Sequence, residues 1–326
     1  MKYRKFSDLG WNVSEIGLGC WGIGGNWDDV KDDAAKKILF KAIDNGINFF
    51  DTSDVYGDGR SEKFLGELIK LIPEKIYVAT KVGQRIRPYI PEGYNFNLLN
   101  KFIDRSLKNL GIDCIDLLQL HCPPSEICSK KELYEMMDEF VKIGKISHYG
   151  LSVFNLSEAM SAIKFPNVKS IQIVFNIFRQ RPKEEFFKEA KKRNIAIIVR
   201  GSLASGLLTG TIDKNTKFNS NDHRNYNFAG KSFDIGDTFS GVDFEKGLAA
   251  VKRLKKLIPK NFSLTDLALK WILMHKEVSV VIPGATNELQ VDLNSRASEL
   301  KEISSIFKEI NSIYNKFIKS EVHYRW

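Results

Sequence analysis

The chain has 326 residues, 43% apolar and 27% charged, with a formal net charge of +9 and a pI near 9.1. This length buries one large core or two smaller ones, and the composition is ordinary for a soluble globular protein. No apolar run approaches the ~20 residues of a membrane-spanning helix, and no dense basic run interleaved with aromatics points to nucleic acid.

The first residues, Met1-Lys-Tyr-Arg-Lys-Phe-Ser7, lack the apolar stretch of a secretory signal. Cys20, Cys114, Cys122 and Cys128 are few and irregularly spaced, so a reduced, cytoplasmic setting is expected. His121, Cys122 and Cys128 fit no zinc template, and no metal site is expected. The positive charge reads either as a solvated lysine-rich surface or as a preference for anionic ligands such as a phosphorylated cofactor.

In chain order, residues 2–5 and 11–13 around Leu9-Gly10 predict a small hairpin, and residues 14–19 a short strand. Residues 32–46 place Ala35, Ile38, Leu39, Ala42 and Ile43 at helical spacing, with Gly46 as a stop. A strand at 47–51 precedes a helix at 61–71 with Phe64, Leu65, Leu68 and Ile69 on one face. A strand at 76–80 precedes a helix at 97–110 that stops at Gly111, and a strand at 115–120 follows. Ser129-Lys-Lys-Glu132 has the spacing of a capping box and predicts a helix start.

Strands at 146–151, 171–175 and 195–199 alternate with helices at 156–164 and 183–193. The last strand, 279–282, lies between helices at 263–275 and 287–295. Eight short apolar strands, each leading to an amphipathic helix, imply a parallel sheet. Eight units in a row favour a single (β/α)8 barrel over an open sheet, with the hairpin plugging its bottom. No linker divides the chain, so residues 1–326 read as one domain. Residues 211–242 are polar and aperiodic, a long loop after the seventh strand, and read as a lid or as a loose insertion.

Gly17-Leu-Gly19-Cys-Trp-Gly22 matches the G-x-G-x-x-G dinucleotide pattern, but the third glycine leads into Ile23-Gly-Gly25 rather than a helix. These glycines fit a close backbone approach better than a Rossmann turn. The ends of the second, third and fourth strands are more telling. They carry Asp51 with Tyr56, then Lys81, then His121. Singly, each has an ordinary reading: a turn cap, a packing residue, a snorkelling lysine, a satisfied core histidine. Barrel enzymes work from the C-terminal ends of their strands, so together the four converge. An ammonium beside a phenol lowers the phenol's pKa from ~10, a carboxylate holds the lysine, and a histidine positions a carbonyl or assists proton transfer.

These residues, in this order, resemble the tetrad of the aldo-keto reductase family, and the resemblance runs over residues 1–295. Gly17-Leu-Gly19-Cys20-Trp21 is similar to the family's Gly-x-Gly-Thr-Trp, with cysteine for threonine. Leu110-Gly-Ile-Asp-Cys-Ile-Asp116 is similar to the segment before the family's histidine. The resemblance implies reduction of a small aldehyde or ketone, with NADP(H), or alternatively NAD(H), bound across the barrel mouth and Tyr56 as proton donor. Some relatives are channel-associated subunits, so a cofactor-binding regulatory or redox-sensing subunit is the alternative. A two-domain Rossmann dehydrogenase is a third, weaker one.

The resemblance also implies cofactor contacts. Gly19 and Cys20 line the first strand's exit. Ser152 and Gln172 hold the nicotinamide amide, although Val153 stands where the family has asparagine. Arg200 takes the place of the family's stacking aromatic, or pairs with an acid or a phosphate. Ser202, Leu203 and Gly206 offer backbone amides to the pyrophosphate. Gly284, Thr286, Gln290 and Asn294 match the adenosine segment, without the Lys or Arg that many relatives carry near Thr286. Arg296, His223 and Arg224 are candidate sources of that charge. Trp21 and Trp27 either line the substrate cavity or pack. The tail from 300 to 326 and residues 84–93 both have the reach to meet the pocket.

Overall fold

The computed structural model describes residues 1–25, 30–220 and 222–326. β1 (Tyr3–Phe6) and β2 (Trp11–Ser14) form an antiparallel hairpin. Eight parallel strands follow: β3 (Leu18–Gly19), β4 (Phe49–Asp51), β5 (Tyr77–Val82), β6 (Ile115–His121), β7 (Ile146–Ser152), β8 (Val168–Val174), β9 (Ala196–Arg200) and β10 (Val278–Val281). They pair in sequence order, and β3 meets β10 through the Ile16–Val281 and Gly19–Gly284 bridges. Gly17 N–H donates to Val281 at 2.8 Å and Val281 N–H to Glu15 at 3.0 Å, so the sheet closes on itself. The strand predicted at 14–19 is split for this reason. Ser14 ends the hairpin, and the next residues bond across the seam.

The helices are α1 (Asp32–Asp44), α2 (Arg60–Leu71), α3 (Phe96–Leu110), α4 (Lys131–Lys142), α5 (Leu156–Ala162), α6 (Phe186–Lys192), α7 (His223–Tyr226), α8 (Phe244–Leu254), α9 (Leu264–Leu273), α10 (Glu288–Arg296), α11 (Phe307–Phe317) and α12 (Lys319–Val322). α1 through α6 each join consecutive strands, while α7, α8 and α9 lie together between β9 and β10. Gly46 and Gly111 end their helices with φ of 76° and 64°, the left-handed geometry a stop requires. The Ser129 capping box does not form. A tight turn, Lys130 N–H to the Ile127 carbonyl at 3.0 Å, carries the chain past Ser129, and α4 starts at Lys131 without a side-chain cap. Asn155 and Glu158 do form a reciprocal box at α5, and Ser263 with Asp266 at α9.

Strand alternation explains the barrel's interior. Phe49, Ala79, Leu117, Ile198 and Val280 share one buried cluster with Phe6 and Val13 of the hairpin. Phe50, Val78, Leu118 and Val199, one residue along, belong instead to the large cluster under the helices. The period of two therefore puts Asp51, Lys81, Gln119 and Arg200 on the inner face, one layer above the apolar floor. Phe6 stacks on Phe49 at 5.4 Å and Trp11 on Tyr77 at 4.5 Å, so the hairpin plugs the bottom as expected.

The described residues of 211–242 fold over the opposite end, and the C-terminal Trp326 packs against them. Trp326 Nε1 donates to Asp234 Oδ1 at 2.9 Å, and its ring lies 4.1 Å from the Arg179 guanidinium. A Cβ at Gly236 would come within 2.8 Å of the Trp326 ring, so the loop backbone is pressed against the indole.

Two consequences are measurable. Gly17→Ala puts a methyl 2.8 Å from the Phe49 carbonyl of neighbouring β4; it should cost about 1–3 kcal/mol in chemical denaturation. Trp326→Ala should leave the far-UV circular dichroism unchanged while hydrogen exchange across residues 234–241 accelerates at least about tenfold.

Candidate active site

Asp51 ends β4, Lys81 is the penultimate residue of β5, and His121 ends β6. Tyr56 opens a tight 3-10 turn just beyond β4. Lys81 is wholly buried. Its Nζ donates to Asp51 Oδ1 at 2.5 Å, to the Thr52 carbonyl at 2.8 Å and to Tyr56 Oη at 3.2 Å. All three ammonium donors are thereby used. The Tyr56 and His121 rings stand edge to face with centroids 6.0 Å apart. The four residues predicted from the strand ends meet at one point.

Asp51's second oxygen is also satisfied. Gln119 Nε2 donates to Oδ2 at 3.1 Å and Gln172 Nε2 at 2.7 Å. Gln172 also donates to Gln119 Oε1 at 3.2 Å and accepts from Ser152 Oγ at 3.3 Å. Gln119 was not anticipated. Its signal was its place two residues before His121 on the same strand, hence on the same face. Ser53 was missed as well; its Oγ lies 3.1 Å from His121 Nδ1. Gln84 Nε2 donates to the His121 carbonyl at 2.9 Å and fixes that backbone.

Burial and charge pull the tetrad in opposite directions. Burial raises the Tyr56 pKa, and the Lys81 ammonium offsets this only in part, so the net direction is upward. The expected lowering by lysine operates but is outweighed, because the phenolate is excluded from water. Burial also acts to depress Lys81, yet Asp51 and Tyr56 together hold it above the ordinary lysine value. Burial, then Lys81 and Arg200, push His121 well below the usual histidine range, so its ring is neutral at neutral pH.

The remaining predicted residues divide into three groups. Ser152 and Gln172 are buried beside Asp51, and Gln172 Oε1 retains a lone pair for an incoming amide. Arg200 ion-pairs with Asp237 of the long loop and donates to the Val153 carbonyl at 3.1 Å, so the acid-pairing reading holds and the guanidinium is anchored. Trp21 lies 6.2 Å from the Tyr56 ring and 4.9 Å from His223 on α7, which brings the loop to the mouth. Trp27 lies outside the described residues.

The glycines of the G-x-G-x-x-G match serve the barrel wall. A Cβ would fall 2.8 Å from the Phe49 carbonyl at Gly17 and 2.8 Å from the Ile282 carbonyl at Gly19. Cys20 turns its thiol into the core toward the Leu18 carbonyl at 3.6 Å. Its N–H donates to the Asp51 carbonyl at 2.8 Å and its carbonyl accepts from Ser61 Oγ at 3.0 Å, so this residue is a buried wall piece and not the cofactor contact expected. Ser202 is buried and Leu203 half-buried, and Gly206 takes φ of 95° in a turn where Ala204 and Ser205 are also left-handed. Within that turn the Ala204 N–H donates to the Gly201 carbonyl at 3.0 Å and the Gly206 N–H to the Leu203 carbonyl at 2.9 Å.

At the last strand, Thr286 N–H donates to Gln290 Oε1 at 2.8 Å, and Asn294 Nδ2 donates to the Gly284 carbonyl at 3.2 Å. Arg296 pairs with Asp266 at 2.9 Å and Arg224 with Asp222 at 2.5 Å. Both candidate arginines are thus engaged by acids of this chain, and burial pushes the third candidate, His223, down to about 4, so it brings no positive charge at neutral pH.

Lys81→Met would strand the Asp51 carboxylate with amide donors alone. The loss should be about 3–5 kcal/mol by urea denaturation, and the double variant with Asp51→Asn should recover part of it.

Three similarities accompany this geometry. The profile of the aldo/keto reductase family matches residues 15–315. Aldo-keto reductase YhdN of Bacillus subtilis is 30% identical over 328 aligned residues, covering 99% of this chain and 96% of that one. Aldo-keto reductase yakc [NADP(+)] of Schizosaccharomyces pombe is 29% identical, covering 91% of this chain and 87% of its own. The solved glycerol dehydrogenase AKR11B4 of Gluconobacter oxydans superposes with a TM-score of 0.81 at 26% identity, over 100% of this chain and 98% of that one. Matched along nearly its whole length, the chain belongs to the aldo/keto reductase family.

Proposed function

We propose that the protein reduces a small aldehyde or ketone to the alcohol with a nicotinamide cofactor. One observation carries this reading: the buried Lys81 Nζ lies 2.5 Å from an Asp51 oxygen and 3.2 Å from Tyr56 Oη. A phenol tied to an ammonium is a proton donor whose conjugate base is stabilised where it forms. Bound in the mouth, the cofactor supplies a hydride to the carbonyl carbon. Tyr56 gives its proton to the carbonyl oxygen, Lys81 stabilises the phenolate left behind, and Asp51 keeps Lys81 charged. His121, neutral and held by Ser53, positions the oxygen.

The chain's own residues suit such a cofactor. Gln172 Oε1, with a lone pair left beside the Ser152 hydroxyl, offers a carboxamide an acceptor, and the left-handed turn after β9 lets backbone come close to a diphosphate. NADP(H) is the preferred partner, a choice supported by the NADP(+) in the name of the fission-yeast relative. Against it, Arg296 and Arg224 are already paired within the chain. NAD(H) therefore remains the comparison in any assay. Trp21, beside Tyr56, forms one wall of the substrate site.

Consumption of NADPH and NADH with a panel of small aldehydes and ketones tests this directly. Tyr56→Phe should bind cofactor as the wild type does, by fluorescence titration, and lose turnover by at least about 10²–10⁴-fold. Full turnover in Tyr56→Phe would remove the acid assignment. Tight cofactor binding with no turnover in the wild type would remove the reductase reading.

A further inference from the structure

His121 is oriented by a short chain of buried groups that leads away from the mouth. Its Nδ1 lies 3.1 Å from Ser53 Oγ, and Ser53 Oγ lies 3.2 Å from Asp54 Oδ1. Ser53 and Asp54 are both wholly buried. The Val55 N–H also donates to Ser53 Oγ, at 3.4 Å. A hydroxyl has one proton to give and two lone pairs. With Val55 occupying one lone pair, Ser53 can donate to only one of its two neighbours and must accept from the other.

Two arrangements satisfy this count. If Asp54 is ionised it cannot donate, so Ser53 gives its proton to Asp54. Ser53 then accepts from His121 Nδ1–H, and Nε2 is left as a bare lone pair. If Asp54 is protonated, it donates to Ser53, Ser53 donates to Nδ1, and the neutral ring carries its proton on Nε2. Passing from the second state to the first releases one proton. Asp54's proton moves to Ser53, Ser53's to Nδ1, and the Nε2 proton leaves through the mouth.

We propose that Ser53 and Asp54 are positioning residues that decide which His121 nitrogen bears the proton. Protonation of Asp54 then switches Nε2 between a donor to a carbonyl oxygen and an acceptor from an alcohol. The inference rests on His121 facing the substrate oxygen, as in the proposed function.

The surroundings of both ends support the switch. Asp54 faces Glu62 on α2, Arg85 after β5 and Arg105 on α3. Arg85 Nε is 3.2 Å from Asp54 Oδ2 without the alignment of a hydrogen bond, and Arg105 Nη1 donates to the Asp54 carbonyl at 3.2 Å. Both arginines are shared with the exposed Asp58, at 2.5 and 2.7 Å. Burial and Glu62 push the Asp54 carboxyl up to about 7, against the pull of Arg85, Ser53 and Arg105. His121 faces Lys81 and Arg200, which with burial keep it neutral on both sides of that midpoint. The donor form is thus favoured below Asp54's midpoint and the acceptor form above it.

The test is the ¹⁵N spectrum of histidine-labelled protein across about pH 5.5–8.5, with His121 assigned by its loss in His121→Asn. The expected result is an exchange of the protonated nitrogen from Nε2 to Nδ1 as pH rises, abolished in Ser53→Ala. In parallel, carbonyl kcat/KM should fall by about tenfold between pH 6 and 8 in the wild type. That fall should flatten in Ser53→Ala and persist in Ser53→Thr.

A single tautomer across the range, or a switch that survives Ser53→Ala, overturns the proposal. Should Ser53→Ala not fold, the wild-type spectrum decides alone. A switch without Tyr56-dependent turnover leaves the relay standing and removes the reductase reading. Turnover with a fixed tautomer removes only the relay.

Discussion

A lysine ammonium buried inside the barrel is the constraint around which the rest of this molecule is arranged. A charge held away from water costs several kcal/mol unless every donor is met, and Lys81 meets all three of its own within 3.2 Å. The Asp51 carboxylate balances it, and that carboxylate's second oxygen needs donors in turn. Gln119 and Gln172 supply them, and Gln172 brings in Ser152. A single buried charge therefore accounts for a polar layer spanning β4 to β8. Within the proposed function, that layer keeps a proton donor and its counter-charge in fixed relation before any substrate arrives.

The barrel makes such a layer affordable through its strand register. The floor beneath it is largely apolar, built from Phe49, Ala79, Leu117, Ile198 and Val280 with Phe6 and Val13 of the hairpin. Two residues further along β4, β5, β6 and β9 the same inward positions turn polar, as Asp51, Lys81, Gln119 and Arg200, while beyond Val280 the wall stays apolar at Ile282. Parallel pairing sets Lys81 against Gln119, Gln119 against Gly150, and Ser152 against Gln172. The glycines at 17 and 19 belong to this scheme, because a Cβ would press on the β4 carbonyl of Phe49 at Gly17 and on the Ile282 carbonyl after β10 at Gly19.

The mouth is shaped by segments far apart in sequence. Arg200 at the end of β9 is held by Asp237, Asp237 lies in the turn that Asp234 caps, and Asp234 accepts from Trp326. The long loop thus has a fixed course over the described residues rather than a loose one. Of the two readings open to residues 211–242, a covering segment is the one their contacts fit. His223 against Trp21 is the point where that cover comes nearest the phenol.

The tetrad was legible because its residues sit at strand ends, where a period of two and a barrel rhythm dictate direction. The eight strands, the bottom hairpin and the stops at Gly46 and Gly111 were legible for the same local reasons. Gln119 was within reach of that reasoning, since it shares a strand face with His121. The failed cap at Ser129 shows where local spacing misleads, because a preceding turn took up the residues that the motif needed. What no pattern in the chain announced were the pairings that close over distance: Arg200 with Asp237, Trp326 with Asp234, and Ser53 between His121 and Asp54. The sequence by itself determined which elements form and which faces turn inward, because propensity and periodicity act over a few residues. Only the tertiary structure decided the protonation preferences of Tyr56, His121 and Asp54, because burial and the nearest charges exist only once the chain has closed around them.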